Sequence, residues 1–410
     1  MTGEQRNVSL LFASRIVRMF AYGFLSVILL LYLTSIGLSE TKAGLLLTLT
    51  LVGDTAISLW MTGYADLYGR KRMMLIGAVL MIFAGIIFAF TQNFLVLIIA
   101  AAIGVISPSG NEVGPFLSIE QAALAQSVED RRRTYLFAWY NLVGSFATAL
   151  GALAAGTFSQ KLISSGYSAV ASYRAVVLGY AIFGIVLALI FLQLSKAIEV
   201  RNAPSATNLK SKFGLHRSKK TVLRLSSLFA MDAFAGGFIM QSIIAYWFHK
   251  RFGISPAVLG TIFFFANILA GISALAAARL ASRIGLIRTM VFTHIPSNVM
   301  LFFVPLMPSF PLAIGVLLAR FSISQMDVPT RQSYLMAVVE PNERSAAAGV
   351  TGIARSVGAS LSPIITGPLL ANPALMGLPF FIAGSLKIIY DLLLYRGFQE
   401  LKPPEERKVL

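Results

Sequence analysis

Ionisable residues interrupt stretches of this chain that are otherwise almost wholly apolar, among them Arg18, Asp54, Glu112, Asp232, Arg320, Asp327 and Arg355. An arginine presents a planar fork of donors that grips a carboxylate or phosphate at two points. Arg18, Arg320 and Arg355 are therefore candidates for holding an anionic or zwitterionic solute, with Tyr22 placed to stack on it. The carboxylates offer different chemistry. Buried and unpaired, Glu112, Asp232 or Asp327 could carry a proton and release it on exposure. Neutralised by Arg18 or Arg320, they would stay ionised and that role would fail. They could instead hold a cationic lipophile. Asp54 is a further proton-carrier candidate, although orienting helix packing suits it better. Arg331 follows Asp327 by four residues with Pro329 between, a spacing that puts both charges on one helix face. Such a pair serves equally as a gate or as a brace.

Other chemistries have no residues to run them. The chain has no cysteine, and its three histidines (His216, His249, His294) are far apart in sequence. A thiol or zinc-thiolate site is excluded and a histidine-built metal site is not expected. No HExxH, GxSxG or GxxxxGK[ST] motif occurs, so neither an enzyme, nor a nucleotide-driven pump, nor a cofactor is expected.

The elements that must position these charges follow from composition. Of 410 residues, 57% are hydrophobic and only 12% charged, with a mean hydropathy of +0.76. Soluble domains are about half apolar and about a quarter charged. A hydrocarbon core of ~30 Å takes roughly 20 helical residues. Twelve stretches qualify, near 8–35, 41–63, 73–91, 94–122, 134–158, 173–194, 222–248, 256–280, 288–306, 311–337, 345–370 and 377–395. Spanning segments must satisfy their own backbone, so helices are expected throughout. The net charge of +17 falls largely in short loops. It reads as membrane orientation, with both termini cytoplasmic, rather than nucleic-acid binding. No cleavable signal peptide is evident.

The polar stretch 195–221 divides the chain into 1–194 and 222–395, each with six spans, followed by a tail at 396–410. The segment 127–156 echoes 338–367: an acidic loop, an arginine, then a span rich in small residues. Two halves related by duplication are expected.

The loop after the second span reads GYADLYGRKRM, at 63–73. Gly63 and Gly69 permit a tight turn, Asp66 can face a helix N-terminus, and Arg70 begins a basic run. A decayed copy, RLASRIGLIRT, lies at 279–289. This loop resembles the motif G-x-x-x-D-[RK]-x-G-[RK]-[RK] of the major facilitator superfamily, with Leu67 in place of a basic residue. The small-residue runs 144–156 and 358–367 are similar to that family's close-packed gating helices. The segments GNEVGPFLSIEQAA and QMDVPTRQSYLMAVV resemble its bacterial and archaeal branches.

The resemblance implies an all-α membrane protein of two pseudo-symmetric six-helix bundles, working by alternating access in the plasma or inner membrane. It implies a monomer with a small-molecule substrate, protons and the lipid bilayer as its partners. Spans 1, 4, 7 and 10 would line the cavity, which includes Arg18, Glu112, Asp232, Arg320 and Asp327. Gly63, Asp66, Gly69, Arg70 and Arg331 would serve gating. Lys387, on a peripheral span, would snorkel or pair with Asp391 one turn on. Pro108, Gly110, Gly114 and Pro115 break span 4, and Pro329 bends span 10. Proton-coupled transport of an anionic or zwitterionic solute is the leading expectation. Proton-driven efflux of cationic lipophiles and a membrane sensor on the same fold are the alternatives.

Overall fold

The structure, a computed structural model, describes residues 3–112, 114–127, 130–199, 217–340 and 343–401. Most of the expected linker, the end of the tail, His216, and the side chains of Arg131, Arg132 and Arg133 lie outside what is described.

Eight of the twelve spans are unbroken helices: α3 (Glu40–Tyr68), α4 (Arg70–Phe90), α7 (Asp130–Ser164), α8 (Ala169–Leu192), α11 (Pro256–Ile284), α12 (Leu286–Leu306), α15 (Arg344–Ala371) and α16 (Leu378–Phe398). The other four are each split in two. Span 1 is α1 (Gly3–Ser26) and α2 (Leu29–Ser35), and span 4 is α5 (Phe94–Ile103) and α6 (Phe116–Ser127). Span 7 is α9 (Lys219–Gly237) and α10 (Gln241–Phe252), and span 10 is α13 (Phe310–Phe321) and α14 (Asp327–Val338). The split spans are therefore the first and fourth of each half. Among the described residues, nine helices are long and apolar enough to cross a membrane. Spans 4 and 10 miss that mark because they are divided, and α15 because it carries many small and hydroxyl residues.

Local sequence starts and stops these helices as expected. Ser39 accepts the Lys42 N–H at the head of α3, and Ser168 accepts that of Ala171 at the head of α8. Such caps satisfy backbone donors that have no partner in the first turn. The turn into α4 pivots on Gly69, at φ +103°, and the turn into α12 on Gly285, at φ +88°. Both need the left-handed region open to glycine. The decayed copy of the loop motif thus keeps the geometry after losing the aspartate. Gly63, by contrast, lies inside α3, so the expected tight turn depends on Gly69 alone.

Backbone contacts divide the chain into two compact units. The first is Met1–Leu209 with Met240–Phe264, and the second is Lys210–Ile239 with Phe265–Leu410. In the first unit α1 lies against α7, and in the second α9 lies against α15. A Cβ on Gly151 would come 2.0 Å from the Phe20 carbonyl oxygen, and one on Gly358 2.2 Å from that of Ala230. The small-residue runs therefore let backbones touch. Within the first unit, α10 is held at two levels. Gln241 Nε2 donates to Ser26 Oγ at 2.8 Å, and the Ser242 N–H to the Pro108 carbonyl at 3.2 Å. Further along, Tyr246 and Lys250 both donate to Glu40.

Gly151→Leu and Gly358→Leu each overfill a backbone-to-backbone contact. Each should cost about 1–3 kcal/mol and lower the midpoint of thermal unfolding in detergent. The same change at exposed Gly349, where nothing lies within 4 Å, should leave the midpoint in place.

Candidate functional site

Each unit buries its own cluster of charges. In the first unit the cluster joins α1, the interruption of span 4, α6 and α7. The Arg18 guanidinium meets both oxygens of Glu120 at 2.7 Å, and its Nε meets Glu112 at 2.8 Å. Arg15 pairs with the other oxygen of Glu112. Ser14 donates to Glu120 at 2.6 Å, and the Tyr140 hydroxyl donates to it as well. Arg18 and Glu120 are fully buried. Arg15 lies over the Tyr140 ring and Arg18 over that of Phe116, each at 4.9 Å. Two arginines and two glutamates thus balance where water cannot. Glu120 is the more deeply buried of the two glutamates. Arg18 needs a counter-charge at its depth, and one turn of span 4 in either direction was beyond sequence resolution.

The same span is unwound over residues 104–112 and at 114 and 115, with Gly110 at φ +72° and Gly114 at φ +80°. Asp54, buried on α3, fixes this stretch by accepting the Gly114 N–H at 2.7 Å. Tyr180 donates to the Val105 carbonyl at 2.8 Å. Freed backbone groups thereby regain partners, the condition for an irregular segment at membrane depth. Tyr22 is buried beside Tyr180, with ring centroids 6.4 Å apart.

The second unit's cluster spans α9, α12, α14 and α16. Arg331 donates to Asp327 at 2.9 Å and to Asp232 at 3.0 Å. Lys387 donates to the other oxygen of Asp232 at 2.6 Å. His294 Nδ1 lies 2.9 Å from Asp391, and Asn298 donates to the same carboxylate at 3.2 Å. All of these residues are buried.

Two expectations change here. Lys387 does not pair with Asp391 on its own helix; it reaches across to Asp232 on α9, while Asp391 takes His294. Arg331 is only 3% exposed. The break in span 10 falls at 322–326, ahead of Pro329, which sits in the first turn of α14. A proline is tolerated there because that turn's N–H has no intrahelical acceptor. The Asp327–Arg331 pair on one helix face is present, but Arg331 is shared with Asp232.

Arg320 stands apart. It is 6% exposed, at the end of α13 just before the break, and its Nε has no hydrogen-bond partner. It feels the charges of Asp327 and Asp232 and lies over the Phe321 ring at 5.3 Å. Among the described residues, Arg15, Arg18, Arg70 and Arg331 are the other buried arginines, and each makes an ion pair. Arg355 is half-buried on α15. Trp247 is fully buried against Phe248 and Phe252.

At the loop motif, Arg70 donates to Asp66 at 2.8 Å, to Gln126 at 2.9 Å and to the Ile198 carbonyl at 3.2 Å. The anion that caps α4 is Glu199, which accepts the Arg70 N–H at 2.6 Å and that of Lys71 at 3.2 Å. Asp66 is thus the partner of an arginine rather than of a helix terminus. Glu343 repeats the device in the second unit, accepting the N–H groups of Arg217 and Ser218 at 2.9 Å. Sequence reading missed Glu120, Glu199, Glu343, Asn298 and the pairing of His294. The signal for His294 was present: an ionisable residue within an apolar span calls for a partner.

A chain of spanning helices, with the first and fourth spans of each half split beside buried charges, is a multi-pass membrane protein. The family model described as Major Facilitator Superfamily matches residues 11–407, and the chain belongs to that family. An uncharacterized membrane protein of Saccharomyces cerevisiae, YJR124C, is 33% identical and covers 95% of this chain and 93% of its own length. Among solved structures, the nucleoside transporter NupG superposes with a TM-score of 0.73 at 14% identity, covering 97% of this chain and 99% of its own. The D-xylose-proton symporter does so with a TM-score of 0.72 at 14% identity, covering 95% and 97%.

Removing one member of the Arg18–Glu120 pair strands its partner. Glu120→Gln or Arg18→Met should each cost about 3–5 kcal/mol. The double variant Arg18→Met with Glu120→Leu should recover part of that loss. Thermal unfolding of the three proteins in one detergent measures both effects.

Proposed function

We propose that this protein is a secondary transporter of a small organic anion or zwitterion, working by alternating access and coupled to protons. The observation that carries the reading is Arg320. Among the described residues its Nε has no hydrogen-bond partner and no carboxylate forms an ion pair with it; a buried guanidinium so placed is costly unless it has a ligand to receive, and a carboxylate or phosphate meets it at two points. Its position beside the interruption of span 10 supports the same reading, because split helices mark binding sites in such bundles. Arg18 keeps a supporting role through Glu112, which is its partly exposed partner. Tyr22 and Arg355 remain candidate contacts, and the ion pair of Asp327 with Arg331 a candidate gate. The loop residues Asp66, Gly69 and Arg70 remain candidate gating residues within the first unit.

Efflux of cationic lipophiles draws less support. Glu112, Glu120, Asp232 and Asp327 each already face a lysine or arginine. Asp54 is engaged by a peptide N–H. Basic loops support both termini on the cytoplasmic side of the plasma or inner membrane. The linker and tail boundaries at 195–221 and 396–410, and a monomeric working unit, belong to the same proposal.

In lipid nanodiscs, a thermal-shift screen of lactate, succinate, citrate, glutamate and sugar phosphates should find a stabilising anion. Arg320→Gln should weaken its binding at least about tenfold, as expected for a charge-assisted contact, while unfolding without ligand hardly changes. Binding left intact by Arg320→Gln would remove the anion reading. In proteoliposomes, the anion found should exchange by counterflow and accumulate only under an imposed pH gradient. Accumulation indifferent to that gradient rules out proton coupling, and absence of counterflow favours a sensor.

A further inference from the structure

We propose that His294 and Asp391 form the proton-binding pair of this transporter, and that their occupancy answers to the charge balance around Arg320. The second half of this inference rests on the anion reading of Arg320; the first does not.

The geometry singles out this pair. Asp232 is engaged by Lys387 and Arg331, and Asp327 by Arg331. Asp391, fully buried, makes no ion pair with a lysine or arginine among the described residues. Its partners are His294 at 2.9 Å and the neutral amide of Asn298 at 3.2 Å. The other ring nitrogen of His294, Nε2, lies 4.0 Å from Asp232 Oδ1. The imidazole therefore stands between two carboxylates. A neutral ring donates from one nitrogen only, and a protonated ring from both. The Tyr390 ring closes the remaining side, perpendicular at 6.1 Å.

A count of charges says when the proton binds. Asp232, Asp327 and Asp391 contribute three negative charges. Arg331, Lys387 and Arg320 contribute three positive ones. The set is neutral with His294 uncharged. An anion arriving at Arg320 would leave one negative charge in excess. Unbalanced charge is expensive in a poorly polarisable interior. One proton taken from solvent onto the His294–Asp391 pair restores neutrality, and loss of the anion returns that proton to solvent. The expected ratio is one proton for each anionic charge, moving together.

The other acids serve this role less well. A proton on Glu112 or Glu120 would strand Arg15 or Arg18 in a buried cluster that is already balanced. Asp54 holds the peptide turn at Gly114, and protonation would weaken that hold without answering to Arg320.

The test uses full-length protein in nanodiscs with histidine labelled by nitrogen-15. The ring signal missing from His294→Gln is followed between about pH 5 and pH 9, the range in which histidine exchanges protons. It should take up one proton in that window. Asp391→Asn and Arg320→Gln should displace the midpoint by about one pH unit or more, in opposite senses, since one removes an anion and the other a cation. Should Asp391→Asn fail to fold, Lys387→Gln must displace it in the same sense as Arg320→Gln. A ring that keeps one state throughout the window, or a midpoint indifferent to Asp391→Asn, overturns the proton site. A midpoint indifferent to Arg320→Gln overturns the link to Arg320. If His294 titrates with all these displacements but no organic anion binds, the substrate reading fails and the proton site stands.

Discussion

A charge cannot be left without a counter-charge where no water reaches it, and this constraint organises both units of the chain. Each unit solves it internally. The first holds two arginines against two glutamates, and the second holds an arginine and a lysine against aspartates. Buried pairs of this kind contribute little net stability, because desolvation offsets attraction. Their effect is to fix which helices face one another. Arg18 cannot be satisfied unless Glu112 and Glu120 present themselves together, which requires span 4 to unwind between them. Asp232 cannot be satisfied unless α14 and α16 converge on α9.

The same constraint explains where the helices break. Spans 1, 4, 7 and 10 are interrupted, and all four carry buried charges of the two clusters. An interruption frees peptide groups, which must find new partners. Asp54, Tyr180 and Ser242 supply them around the break in span 4. In span 10 the break separates Arg320 from Asp327.

Twelve spans, the turn at Gly69 and the close-packed small residues could all be read from the chain, since each depends on residues near one another in sequence. Apolar length sets a span, and a glycine between two helices sets a turn. The ion pair of Asp327 and Arg331 was legible for the same reason, being one helical turn apart. Its sharing with Asp232 was not, because that contact joins residues 99 apart in the chain. Lys387 and Asp391 show the trap most clearly. Four residues apart, they looked like one another's partners, yet each prefers an ion on another helix that only packing brings near.

The sequence by itself determined that charges lie inside a membrane protein of this family, since hydropathy and a loop motif are local properties. It also determined which residue types were available to answer them. Only the tertiary structure decided who answers whom. Arg18 is closed off by Glu120, Arg320 forms no ion pair among the described residues, and His294 is set between two aspartates. Side-chain pairing depends on the rotation of each helix about its axis. A shift of one residue turns a side chain by about 100° at 3.6 residues per turn, and nothing in a string of letters fixes that angle until the helices pack.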